Sequence, residues 1–284
     1  MITIVSPFQI SHSSLPTEDY SGYQTTSQTS KDAPAVFLDL LQSYPHYFQR
    51  DTLFGGFEYT GRVYCGPVAV SNALIKFYNS GHTGLFDDTG DEARNQYELI
   101  KLLGSSHYFN TGNRGTGPYS ISKGLERFFN DRNISGVNIK YQGWRTVPLR
   151  FSESNTAPDI NEMKNALRNN QAVLLNFGWY RYDKVNNVYE RTGGHWVTLA
   201  GYGHDGKGES PSSLVIRDPG RRNRPESYVA IEQINSGTLK GSLGGLPADA
   251  QGYYRFRHTR RRYGIIDGIV IVEMPEKGLF SDRG

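Results

Sequence analysis

Residues 64–77 read YCGPVAVSNALIKF, and their spacing decides how the first part of the chain folds. Val68, Ala69, Ala73, Leu74 and Phe77 recur at the interval of a helix face. Pro67 suits a first helical turn, where a missing N–H costs little, and Gly81 suits the exit. Cys65, the only cysteine in 284 residues, therefore stands at the head of a helix packed into a core. At that end the backbone N–H groups lack intrahelical partners and the dipole is positive, which favours the thiolate over the thiol. A lone cysteine is more often a small buried hydrophobe, so its role turns on what the fold brings to it.

Two later runs supply what a nucleophilic thiol needs. TGGHWVTLAGYG (192–203) places His195 at the mouth of a strand-like segment, and LVIRDPG (214–220) places Asp218 at the end of the next. Alone, His195 reads as a hydrogen-bonded structural histidine and Asp-Pro as an ordinary turn opener. Together with Cys65 they give nucleophile, base and orienting carboxylate in chain order, with the histidine at the roughly 130–150 residue spacing known for such pairs.

Composition bounds the alternatives. A chain of this length buries about three quarters of its unfolded surface, and one cysteine excludes an internal disulfide. The 31 basic and 28 acidic residues are interspersed and leave a formal charge of only +3, which does not describe a general nucleic-acid binder. Nineteen tyrosines and 32 glycines favour turns and half-exposed aromatic surface, so a β-rich, loop-rich protein is expected. The start, MITIVSPFQISHSS, lacks a basic n-region and is broken by Ser6, Pro7 and Gln9, unlike a secretory signal. AVLLNFGWY and GIIDGIVIV fall far short of the ~20 residues that span a bilayer. The expectation is a soluble, cytoplasmic protein without a membrane partner.

Residues 10–34 are dense in Ser, Thr, Gln and Pro, so 1–34 is expected to be a flexible arm. The remainder, 35–284, reads as one α+β domain in two lobes. A helical lobe, about 35–170, contains VFLDLLQSY (36–44), the Cys65 helix, DEARNQYELIKLLGSS, SISKGLERFFNDRN and a helix opened by Asp159 and Glu162 as a capping box. An antiparallel β lobe, about 171–275, contains AVLLNFGWY, a hairpin through RYDKVNNVYER, then HWVTLAGYG, SLVIRDP, SYVAIEQ and YGIIDGIVIVEM.

YCGPVAVSNAL (64–74), GGHWVTLAGYG (193–203) and VIRDPG (215–220) resemble three blocks of the papain-like cysteine peptidases related to the bacteriocin-leader-processing, or double-glycine, peptidases. YFQRD, Tyr47 to Asp51, is similar to the glutamine-containing segment ahead of the cysteine in such enzymes. The resemblance covers roughly residues 45–220 in pattern. It implies a two-lobed papain-like fold and a peptide or protein substrate. Cys65 would be the nucleophile, His195 the general base and later acid, Asp218 the group that fixes the imidazole, and Gln49 the side-chain donor to the oxyanion. One departure stands out: the gap TLFGGFEYTGRVY (52–64) is longer than the pattern usually allows, and the position six before the cysteine is Tyr59. Between Gln49 and Tyr59 the sequence leaves the donor open. It also leaves open transfer of the acyl group to an amine or thiol, as in transglutaminase-like or phytochelatin-synthase-like enzymes, and a noncatalytic peptide-binding module on the same fold.

Other features read more plainly. The histidines at 12, 46, 82, 107, 204 and 258 lack zinc-ligand spacing, and FDDTGDE (86–92) lacks an EF-hand pattern, so no metal and no cofactor are expected. The glycine-rich runs NTGNRGTGP and GSLGGLP lack the setting of a phosphate loop. GRRNR (220–224) and RFRHTRRRYG (255–264) fit solvated charge that protects sheet edges more simply than an acidic substrate. Trp179 and Trp196 are expected beside the cleft, Trp196 either shielding the histidine–carboxylate bond or buried in the sheet.

Overall fold

A computed structural model describes residues 37–152, 156–222, 226–241, 247–257 and 262–276. The arm expected at 1–34 lies outside them. The described chain is mixed helix and sheet. Its helices are α1 (Cys65–Asn79), α2 (Glu92–Gly104), α3 (Pro118–Asp131) and α4 (Ile160–Arg168). Its strands are β1 (Leu38–Asp39), β2 (Asn138–Gly143), β3 (Ala172–Asp183), β4 (Val188–His204), β5 (Glu209–Arg217), β6 (Glu226–Gln233), β7 (Thr238–Lys240), β8 (Ala248–Asp249), β9 (Tyr254–Phe256) and β10 (Tyr263–Glu273).

The strands form one sheet that closes on itself. β10 pairs with β9, β9 with β6, β6 with β5, β5 with β4, β4 with β3, and β3 with β10 again, every pair antiparallel. Alternate residues of this ring, among them Val173, Leu175, Phe177, Val197, Leu199, Ile216, Ile231, Phe256, Ile266 and Ile269, pack with Met163 and Leu167 of α4 into one core. The intervening residues Ala172, Leu174, Trp196, Val270 and Val272 pack against α1 and α3 in a second. Each fully buried side chain of this kind contributes roughly 1.5–3 kcal/mol relative to exposure, so the ring coheres without a disulfide.

α1 is buried on almost every face, which fits a helix apolar all round. Its polar residues are paired across the fold: Asn72 Nδ2 donates to Thr198 Oγ1 (3.3 Å), Gln96 Nε2 to Asn72 Oδ1 (2.8 Å), and Thr198 Oγ1 to the Ala69 carbonyl (2.8 Å). Lys76 donates to the Asn170 carbonyl (2.6 Å), and burial draws its pKa down to about 8. These bonds fix α1, and with it Cys65, against β4.

Several expectations are corrected. The described part of the expected 36–44 helix, residues 37–44, is not a helix: β1 pairs with β4 and a single 3-10 turn spans Leu41–Ser43, because Leu40 N–H donates to the Ala200 carbonyl (2.7 Å) and Asp39 caps Leu41 N–H (2.9 Å). The helical stretch is not purely helical, since β2 pairs with β10. Nor is the sheet purely antiparallel, since β7 runs parallel to β4. Asp159 does cap α4, accepting from Asn161 N–H (2.8 Å), but the box is not reciprocal: Glu162 binds Lys140 (2.8 Å) and Gln142, while Asp159 N–H donates to Gln142 Oε1 (2.9 Å).

His195 lies within β4, which begins at Val188, rather than at a strand's mouth. Gly193 and Gly194 look like loop residues, yet both pair with β3. Gly194 is glycine for space: a Cβ there would overlap the Arg191 guanidinium.

Candidate active site

α1 starts at Cys65 with Tyr64 preceding it and no side-chain cap. The first-turn N–H groups are therefore free for the thiol, and the Gly66 N–H donates to the sulfur, as does the Trp196 N–H of β4. Cys65 is buried, retaining 8% of its surface.

The structure brings His195 and Asp218 to this sulfur. His195 Nε2 lies 2.6 Å from Asp218 Oδ1, which leaves Nδ1 for the hydrogen bond that the imidazole shares with the thiol. Phe177 packs edge-on against the imidazole at 5.3 Å. Trp196 does not shield it: the indole turns to the α1 face and donates to the Thr116 carbonyl (2.8 Å). Asp218 directly follows β5. Its Oδ1 also accepts from Gly220 N–H (2.8 Å), and the exposed Arg221 reaches Oδ2 at 3.2 Å.

Burial opposes all three charges, and the pairing outweighs it. For Cys65, burial pushes the thiol up, but the hydrogen bond and charge of His195 and the two backbone donors bring it below an ordinary thiol. For His195, burial pulls down, yet the hydrogen bonds to Asp218 and Cys65 and their charges raise it to about 10. For Asp218, burial pushes up, and the His195 bond and charge, Gly220 N–H and Arg221 bring it below its usual range. All three directions favour thiolate, imidazolium and carboxylate together.

A strap from Leu41 to Asp51 braces the turn that carries Asp218. Arg217 Nε donates to the Tyr44 carbonyl (3.1 Å), Gln49 N–H to the Pro219 carbonyl (2.9 Å), and Arg222 pairs with Asp51 (3.3 Å) while covering the Phe48 ring. Gln49 thus sits beside the Asp218 turn. Its side chain is buried, with Nε2 donating to the Gly61 carbonyl (3.0 Å) four residues before Cys65 and Oε1 without a partner among the described residues. One of the two amide N–H bonds is committed to Gly61, and the other has no partner among the described residues. Tyr59 is exposed and, like Thr60 and Gly61, has positive φ.

That left-handed turn is strained at Tyr59 and Thr60 and demands glycine at 61, where φ is 70° and a Cβ would overlap the Gln49 carbonyl. Gly61→Ala is expected to lower stability by about 1–3 kcal/mol and to displace Gln49, with activity falling more than thermal stability predicts. An unchanged melting temperature would show that the turn relaxes freely.

The acidic and basic runs noted in the sequence find partners within the fold. In the FDDTGDE run, Asp88 binds Tyr78 Oη (3.0 Å) and Asn95 (2.7 Å), and Asp91 caps α2. Arg255 of the second arginine run pairs with Glu232 across β6 and β9 (2.6 Å). Residues 258–261 of that run, and 223–224 of the first, lie outside the described residues. Among the described residues no three of His, Cys, Asp or Glu converge to hold a metal ion. None of the described helices is long and apolar enough to cross a membrane.

A thiol, an imidazole and a carboxylate linked in this order are the groups that a nucleophilic cysteine would require. Residues 41–238 match the model of the Peptidase_C39 like family, and the chain belongs to that family. The matched span opens at the strap and takes in Gln49, Cys65, His195 and Asp218. No curated protein matches the chain.

Sequence reasoning missed the strap, apart from Gln49, and it missed a buried cluster of Arg145, Arg191 and Asp267 beside β4. Helical spacing in VFLDLLQSY hid the first. No local signal marks the second, because two irregularities of strand register create it.

Proposed function

We propose that the protein is a cysteine peptidase or amide hydrolase, working as a single domain over 35–284 whose helices and closed sheet act as two lobes about the thiol. The observation that carries this reading is the 2.6 Å bond from His195 Nε2 to Asp218, which leaves Nδ1 facing Cys65. The resting site then holds a thiolate and an imidazolium, and attack requires no prior proton transfer. The thiolate adds to the carbonyl carbon of a peptide bond, forming a C–S bond and an oxyanion. The Cys65 N–H and the second Gln49 amide N–H are the donors for that oxyanion, Gln49 being favoured over the exposed Tyr59. Collapse breaks the C–N bond as the imidazolium gives its proton to the leaving amine. Water, deprotonated by the neutral imidazole, then splits the thioester and releases the acid. None of these steps calls on a cofactor.

Acyl transfer uses the same intermediate and differs only in the acceptor. The test is to incubate the protein with a peptide library, with and without added primary amines, and to weigh the products and the protein. Cleaved peptides and a transient acyl adduct on Cys65 are expected. Amine conjugates in place of acids would assign a transferase. Peptides left intact, with no adduct from an epoxide inhibitor of papain-like enzymes, would leave a noncatalytic binding module.

A further inference from the structure

Beside the catalytic strand β4 the fold sets two half-buried guanidinium groups near one fully buried carboxylate. Asp267 is fully buried, and its Oδ2 accepts from Tyr180 Oη (2.8 Å) and pairs with Arg191 Nε (2.6 Å). Tyr180 Oη in turn accepts from Trp144 Nε1 (3.1 Å). Among the described residues Arg145 finds only a neutral acceptor, Asn176 Oδ1 at 3.3 Å, and Asn176 Nδ2 donates to the carbonyl of His195 itself (3.3 Å). Arg191 Nη2 is buried with no hydrogen-bond partner among the described residues. Burial and then repulsion from Arg191 draw the Arg145 pKa down, which places the two cations close together.

The cluster is made by two interruptions of strand pairing. The register of β10 against β3 shifts between Ile266 and Gly268, leaving Asp267 as the extra residue. The register of β3 against β4 shifts between Trp179 and Tyr180, so that Tyr180 faces Arg191 rather than Thr192. Such bulges re-aim side chains and gather near active sites. Here they set Asp267 and the Arg191 Nε over Gly178 and turn the end of the Arg191 guanidinium onto Gly194, the exposed residue directly before His195. Arg145 approaches from the other side: its Nη2 lies 3.4 Å from where a Cβ on Gly117 would be, next to Thr116, which packs on Gly66 of the Cys65 turn.

We infer that Arg145 and Arg191 form a carboxylate-binding subsite flanking the thiol, so that the peptide acted on carries an Asp or Glu side chain, or a terminal carboxylate, close to the bond attacked. Two cations share the single carboxylate of Asp267, so the half-buried Arg145 is under-compensated, and a guanidinium presents the fork that a carboxylate fits. At Gly194 a larger residue would displace the Arg191 guanidinium. The inference rests on the peptidase reading only in that the carboxylate belongs to a peptide.

Binding separates the two claims. The full chain carrying Cys65→Ala is titrated with peptides that differ only by Glu, Gln or Lys at each position in turn, and the parent chain is given the same peptides for cleavage. At one position the Glu peptide is expected to bind at least tenfold tighter than its Gln counterpart, with the gap narrowing as salt rises. Adding Arg145→Gln should bring the ratio near one, Arg145→Lys should retain part of it, and Arg145→Glu should reverse it towards Lys. Arg191 is left intact because its loss would strand the buried Asp267 charge. Equal binding of Glu and Gln peptides, binding of neither, or an unaltered ratio in a folded Arg145→Gln protein would overturn the subsite. A parent chain that prefers Glu peptides yet cleaves none would instead overturn the peptidase reading and leave the subsite standing.

Discussion

Replacing Cys65 by alanine is expected to abolish turnover, a loss of about 10⁴-fold or more, while Asp218→Asn retains a measurable fraction, roughly a tenth. The asymmetry follows from the resting ion pair. Without the sulfur no C–S bond forms, and the remaining groups offer only oxyanion donors and substrate binding. Asp218 does not accept a proton during the cycle; it accepts the Nε2–H bond and stabilises the imidazolium. An asparagine oxygen in the same place still accepts that bond, and exchanging a charged for a neutral acceptor weakens it by about 1–1.5 kcal/mol. Steady-state rates on a peptide cleaved by the parent chain decide the matter. Losses of equal size would contradict a preformed thiolate–imidazolium pair.

The second large effect concerns the thiol's own reactivity. With iodoacetamide near pH 6.5 the parent Cys65 should react faster than an ordinary thiol, because His195 and the backbone donors favour its charged form. In His195→Ala the chief source of stabilisation disappears while burial remains, so the thiol loses that lowering. Alkylation should slow by about tenfold or more, and a rate unchanged by the substitution would remove the pair from the mechanism. In the parent, kcat/KM should rise with pH through a limb below the ordinary thiol range and fall again near the His195 value of about 10. Stability carries matching signs. The raised His195 pKa stabilises the fold fully below about 6.5, and that contribution fades as pH climbs through about 10. The lowered Asp218 pKa stabilises at neutral pH and loses its effect on acidification.

Much of the frame was legible because periodicity and capping agreed. α1 follows from the spacing around Pro67, and α2, α3 and α4 from their starts and stops. The long strands after Gln171 follow from β-branched and aromatic runs, and the β3–β4 hairpin from its polar tip, where Asp183 Oδ1 accepts from Val185 N–H (2.9 Å). What failed was context. LDLLQSY has helical spacing, yet its hydrogen bonds go to β4 and to Arg217 from across the fold. The ring closure between β3 and β10 joins distant segments and leaves no local mark. Gly194 is glycine because of a neighbour's guanidinium, a reason that no local pattern shows. In the site, Cys65, His195 and Asp218 stood out through element ends and chain order, and Gln49 through family resemblance alone. Arg145, Arg191 and Asp267 were illegible because register shifts, not residue types, turn them towards one another.

The bond from Gln49 N–H to the Pro219 carbonyl joins positions separated by more than half of the chain. Such closures are entropically the dearest contacts a polypeptide makes and are completed late in folding. Until that happens the imidazole lacks a steadied partner, and the sulfur behaves like any unremarkable mercaptan. On the proposed function, chemical aggressiveness is thereby tied to completed architecture: a half-assembled chain would carry a dormant warhead, and only the finished molecule would be armed.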